Sequence, residues 1–149
     1  MYPITLAFHN LVRWVALILG ILAAARAFSG WFGDRPWSER DRKFGAYFGI
    51  AMDIQLLLGL LLYFVFSPLT RTALANMNTA MSSADLRFFA LEHALYMFFA
   101  VVFAHLGSIL ARRATDAKAK HQRAAIFFGL AVLLILLGMP WMRPLLPSL

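Results

Sequence analysis

The side chains with chemistry to offer are few, and they stand inside long apolar segments: His9, Arg13, Asp53, Gln55, Glu92, His93 and His105, with Arg87 near one segment end. Imidazole is the most versatile group among them, because a neutral ring nitrogen ligates transition metals and the ring also carries protons near neutral pH. An Asp, Lys or Arg at the centre of a bilayer costs roughly 2.5–3.5 kcal/mol on insertion scales, so polar residues retained at such depth are functional candidates by default. Thiol chemistry is excluded. The chain has no cysteine, and therefore no disulfide, thiolate nucleophile, Cys-ligated zinc or Cys-held iron–sulfur cluster. A Gly-rich phosphate loop, a His-Glu-x-x-His motif and a Ser/His/Asp set with a credible nucleophile are all missing, which leaves hydrolase and nucleotide-binding readings without support.

The elements that must position these residues are set by hydropathy. Of the 149 residues, 62% are hydrophobic, and the mean hydropathy is +0.72; a soluble domain uses about 45–50% apolar residues. Four apolar stretches, at roughly 4–28, 44–66, 86–110 and 122–141, are long enough to cross a hydrocarbon core of about 30 Å. Ser67-Pro68 stops the second and Pro140 marks the end of the fourth. The first resembles a signal peptide only faintly, through Ala25-Arg26-Ala27, and reads as a retained span. The fold expected is an all-α, four-transmembrane-helix up-down bundle forming a single membrane domain, 1–149. The 67–85 connection has room for a short helix before Ser83 or Asp85 caps the third span.

The formal charge is +7, but the basic residues occur in short runs between apolar segments, not on one face of a folded module, so nucleic acid is not the partner. The loops after the first and third spans carry Arg26, Arg35, Arg40, Arg42, Lys43 and Arg112, Arg113, Lys118, Lys120, Arg123. Ten basic residues thus oppose four on the other side, Arg13, Arg71, Arg87 and Arg143. By the positive-inside rule the two loops are cytoplasmic and both termini are outside.

Depth then sorts the polar set. His9 lies about 8 Å and His93 about 10 Å from the outer ends of the first and third spans, at 1.5 Å per residue. These two helices run in the same direction and sit diagonally across an up-down bundle. Each histidine tops a stripe of mostly small residues: Arg13, Ala16, Gly20 and Ala23 on one helix, Met97, Ala100, Ala104 and Gly107 on the other. Two facing imidazoles there suit the iron of one haem b, a standard electron carrier, with Arg13, Arg87, Arg71 and Arg143 available to its propionates. The same stripes equally suit plain close packing of membrane helices, with the histidines in interhelical hydrogen bonds or a proton path and Arg13 paired with Glu92 or Asp53.

Other constellations are weaker. His93 and His105 are twelve residues apart, which rotates the side chain by about 120°, and the first helix has no second histidine to complete another haem site. His121, among Lys118, Lys120 and Arg123, reads as interfacial. Asp53 and Gln55 suit proton delivery, quinone contact, or a salt bridge from Asp53 to Arg13. A metal site from His9, Glu92, His93 and Asp53 lacks the Glu-x-x-His pairs of di-iron bundles.

Several short motifs carry a resemblance: His9 with Leu11-Val12-Arg13-Trp14; Asp53-Ile54-Gln55-Leu56-Leu57-Leu58-Gly59 with Tyr63-Phe64; Leu86 through His93 (LRFFALEH); and Gly138-Met139-Pro140-Trp141. Along most of its length the chain resembles small bacterial four-helix membrane proteins labelled cytochrome b-like. The resemblance implies a multi-pass protein of the bacterial inner membrane, haem b and electron transfer. It makes His9 and His93 the metal ligands, with Arg13, Arg87 and Glu92 as supporting cofactor-binding residues. The lipid bilayer is then the first partner, and quinone or a periplasmic or membrane redox protein the second, with homo- or hetero-oligomers also compatible. The alternative is a cofactor-free accessory or assembly subunit of a larger membrane complex. A small proton-coupled transporter using Asp53 and Glu92 fits least, since inverted repeats are lacking.

Overall fold

A computed structural model of the chain describes residues 1–143. All regular elements among them are helical. Helix α1 spans Tyr2–Phe32 and α2 spans Glu39–Leu61, the latter continuing through a π-turn at Leu62–Phe66. Two short helices follow, α3 (Pro68–Ala75) and α4 (Met77–Ser82), then α5 (Ala84–Arg87), a second π-turn (Phe88–Glu92), α6 (His93–Arg113) and α7 (Ala117–Leu137). Four continuous helical segments are long and apolar enough to cross a membrane: Tyr2–Phe32, Glu39–Phe66, Ala84–Arg113 and Ala117–Leu137. They match the four expected spans and outrun them mostly by polar end turns. The fourth ends earlier than expected, at Leu137, because Gly138 takes the C-cap, its N–H donating to Leu134 O at 2.9 Å, with Pro140 two residues on.

Around the bundle α1 touches α2 and α7, and α6 touches α7 and α2, so α1 and α6 lie on one diagonal as expected. The α2–α6 seam is the most open of the four. The small-residue stripes face inward: Ala16, Gly20, Ala23 and Ala27 on α1, and Ala100, Ala104, Gly107 and Ala111 on α6, are all buried. Across the other diagonal Phe48 and Phe128 meet edge-on at 5.8 Å. Both rings are seated in glycine notches: a Cβ on Gly20 would come within 2.8 Å of Phe48, and one on Gly107 within 2.6 Å of Phe128. The core of this half of the bundle is therefore filled. Ile18, Leu57, Phe98 and Leu133 lie exposed on the outside, the arrangement expected where the solvent is hydrocarbon.

At this end Asp41 ties α1 to α2. Its carboxylate accepts from Ser38 N at 2.9 Å while Ser38 Oγ accepts from Asp41 N, a complete capping box, and Arg26 donates to it from across the hairpin at 3.0 Å. Asp34 and Lys118, 2.9 Å apart, join the two short loops at this end. Asp41→Ala removes the N3 half of the capping box and the carboxylate partner of Arg26; we expect a loss of about 1–2 kcal/mol, read as a lower denaturant midpoint in detergent. Asp41→Asn, which keeps an acceptor at the cap, should lose less.

The opposite end is built differently. Where one short helix was expected there are two, broken at Asn76, whose side chain caps α4 by accepting from Thr79 N at 3.1 Å. Ser67 caps α3, and Thr70 Oγ1 donates back to Tyr63 O at 2.8 Å, filling a carbonyl of the π-turn. Ala73, Ala80 and Ala90 form a small separate core with Met81 and Leu86. Ser83 is the N-cap of α5, and Asp85 lies inside its first turn.

Candidate functional site

Between the α1, α2 and α6 helices, on the side away from Phe48 and Phe128, the bundle opens into a cavity of about 610 Å³. Its volume falls within the roughly 300–1,000 Å³ of small-molecule and cofactor sites. Most of the wall is apolar, from residues such as Met52, Leu56 and Val101, while His9, His93, Arg13, Gln55 and Arg143 supply polar atoms. His9 and Arg13 are buried on α1, one turn apart. His93 starts α6 on the facing diagonal.

The two imidazoles come together. Their ring centroids are 6.3 Å apart with planes at 66°. His93 Nδ1 is 2.7 Å from Gly138 O; a carbonyl can only accept, so Nδ1 carries the proton and Nε2 keeps its lone pair. A backbone carbonyl fixing one nitrogen while the other faces a metal is the usual arrangement of a ligating histidine. On His9, Nε2 is 3.2 Å from Gln55 Nε2, and Nδ1 is buried with no hydrogen-bond partner. A buried polar atom left unsatisfied costs about 1–3 kcal/mol, and both ring nitrogens of the packed His121 share that condition.

The ring spacing is near that of two imidazoles sharing one metal, while His9 Nε2 accepts from the Gln55 amide N–H and must exchange that donor for the metal in order to ligate it. Metal–imidazole bonds run about 2.0–2.1 Å, so two in line separate the ring centroids by about 6 Å, near the spacing found. Among the described residues no three His, Asp or Glu side chains gather as a metal-ligand cluster. A pair of imidazoles could hold a metal that brings its remaining ligands with it, as a haem iron does.

The π-turns account for the most local departure from expectation. Each inserts one residue into the α ladder: Ser67 N reaches back to Leu62 O, and His93 N to Phe88 O. The carbonyl of Ala90 is taken up by Tyr63 Oη at 2.6 Å, which joins the two π-turns across the bundle. Residues five apart stand about 140° apart on an α-helix, but stack in a π-turn. Arg87 Nε and Glu92 Oε1 accordingly meet at 2.8 Å, both partly exposed. Those two expected supporting residues thus pair with each other and do not line the cavity, whereas Arg13 and Arg143 do.

Other expected pairings resolve elsewhere. Asp53 is bonded to His105, with Nε2 and Oδ1 2.7 Å apart, in place of the expected salt bridge to Arg13; Glu92 is engaged by Arg87. The set His9, Glu92, His93 and Asp53 is therefore not assembled. His121 lies near the basic-loop end of α7 with its ring turned inward. It is fully buried, because Gly30 leaves the space for its ring and Trp37 covers it at 4.9 Å. The roles of Gly138 and Gln55 beside the histidines had no sequence signal beyond their membership of the quoted motifs. Compared with protein-family models, curated proteins and solved structures, the chain matches none.

Proposed function

We propose that this chain is a membrane electron-transfer protein holding one haem b between His9 and His93, with the site toward the outer face and the two basic loops in the cytoplasm. The observation that carries the reading is the imidazole pair, 6.3 Å between centroids, at the wall of a cavity of about 610 Å³. Bound there, haem supplies reversible one-electron transfer at a potential tuned by its axial ligands and burial.

The protein's own contributions follow from the side chains. The Gly138 carbonyl holds the His93 ring in one tautomer and one orientation. Gln55 holds His9. Arg13 and Arg143 place guanidinium groups at the cavity wall, and guanidinium forks match carboxylates such as propionates. The apolar lining excludes water and lowers the local dielectric, which strengthens each of these contacts. Electrons would be exchanged with a quinone or with a redox protein at the outer face; the bacterial inner membrane is the setting this implies.

The test is an oxidised-minus-reduced visible spectrum of the detergent-purified protein, with pyridine haemochrome quantification. The expected result is a low-spin b-type signal at about one haem per chain. A colourless protein after expression with ample haem would overturn the reading and favour an accessory subunit without a cofactor.

A further inference from the structure

One polar pair stands apart from the cavity, on the outside of the bundle. Asp53 and His105 meet across the open α2–α6 seam at 2.7 Å, with side chains 50% and 43% exposed. Asp53 is fourteen residues along a 28-residue segment that begins at Glu39, roughly 21 Å from that end and so near the middle of a span. The middle of a span lies at the depth of the lipid tails. Unsatisfied polar groups in hydrocarbon cost several kcal/mol each, and the mutual bond uses only one carboxylate oxygen and one ring nitrogen.

The seam beside the pair is recessed. A hollow of about 150 Å³ runs from Asp53 and His105 past Gly45, Gly49, Ser108 and Trp37 to Asp41, Arg42 and Arg112 at the basic-loop end. Two glycines border it: a Cβ on Gly49 would lie 3.5 Å from His105 Cε1, an ordinary contact, and one on Gly45 would meet the Phe128 ring at 2.8 Å and Ser108 Oγ at 3.1 Å. Cavities of about this volume accept a benzene-sized ring. A flat ring that reaches this recess from the lipid side meets an imidazole backed by a carboxylate.

We propose that this recess binds the ring of a lipid-soluble benzoquinone or its quinol. With Nε2–H donated to Asp53, Nδ1 accepts from a quinol hydroxyl. When His105 is protonated, Asp53 stabilises the imidazolium and Nδ1–H donates to a quinone carbonyl. Ser108 at the recess wall can donate or accept for either form. Trp37 offers an aromatic face. Binding does not rest on haem at His9 and His93; it adds a candidate electron partner on the opposite half of the bundle, and the two sites are read out separately.

The experiment is equilibrium retention of radiolabelled ubiquinone-1 by the full chain in lipid nanodiscs, corrected by empty nanodiscs. Saturable binding near one per chain is expected. His105→Ala and Asp53→Asn should each weaken it roughly tenfold or more, the scale of losing a hydrogen bond to a charged group. His105→Gln, which keeps a donor and an acceptor, should retain part of it. Haem content and helical circular dichroism are measured on the same samples and should not change, so a folding defect or a loss of the other site is distinguished. Non-saturable uptake equal to empty nanodiscs, or His105→Ala binding like the unaltered chain, would overturn the proposal. So would cross-linking that shows Asp53 and His105 covered by a second copy.

Discussion

His93→Ala and His9→Ala are each expected to lower the haem content of the purified protein at least tenfold while leaving its helical circular dichroism intact. The two rings lie on a diagonal of the bundle, where no other described histidine is within reach: His105 is bonded to Asp53 and His121 is enclosed by Gly30 and Trp37. A replacement ligand is therefore not at hand. Removing even an outer partner of a metal ligand typically costs 10–100-fold in affinity, so loss of the ligand itself must exceed that range's lower end. The double variant should lose little more than either single one, since a site missing one axial ligand is already disabled. Gln55→Ala should be milder, altering the spectrum or potential by releasing the His9 ring. Pyridine haemochrome assays across this series decide the matter. Full haem content in either single alanine variant would remove the ligand assignment.

The largest stability effect is expected at a glycine far from that site. A Cβ on Gly30 would stand 2.2 Å from two atoms of the His121 ring, and that ring is wholly buried. The ring is rigid and sits between α1 and Trp37, so it cannot swing aside as a flexible chain end would. Gly30→Ala should thus destabilise the protein by about 1–3 kcal/mol or more through overpacking, despite the gain of up to about 1 kcal/mol that alanine brings to a helix interior. The midpoint of unfolding in sodium dodecyl sulfate measures this. Gly30→Ala with His121→Ala should recover most of the loss, because the second change vacates the contested volume. Gly59→Ala is the contrast: its Cβ would meet His9 at an ordinary 3.5 Å, and stability should change little. Equal losses at Gly30 and Gly59 would refute the steric argument.

Much of this architecture is written locally along the chain. Four apolar segments of membrane-crossing length, the second stopped by Ser67-Pro68 and the fourth bounded by Pro140, determine four spans. Short loops make neighbours antiparallel, and antiparallel order puts α1 and α6 on one diagonal. The 3.6-residue period then places Ala16, Gly20 and Ala23 opposite Ala100, Ala104 and Gly107. Equal depth brings His9 level with His93. These features follow from length, hydropathy and helical period, which are properties of each segment alone.

What the chain alone did not determine depends on how each helix is rotated about its axis and where its ladder slips. The π-turn before His93 breaks the regular helical period and stacks Arg87 and Glu92, supporting residues on the resemblance alone, on each other. Asp53 was free, on sequence grounds, to reach Arg13; the rotation of α2 turns it to the α2–α6 seam and His105. His121 lies among charged neighbours, yet the absence of a side chain at Gly30, 91 positions earlier, admits its ring to the core. Hydropathy counts residues along one helix, whereas these pairings are made between helices by the shapes that fit. Tertiary structure alone decided them.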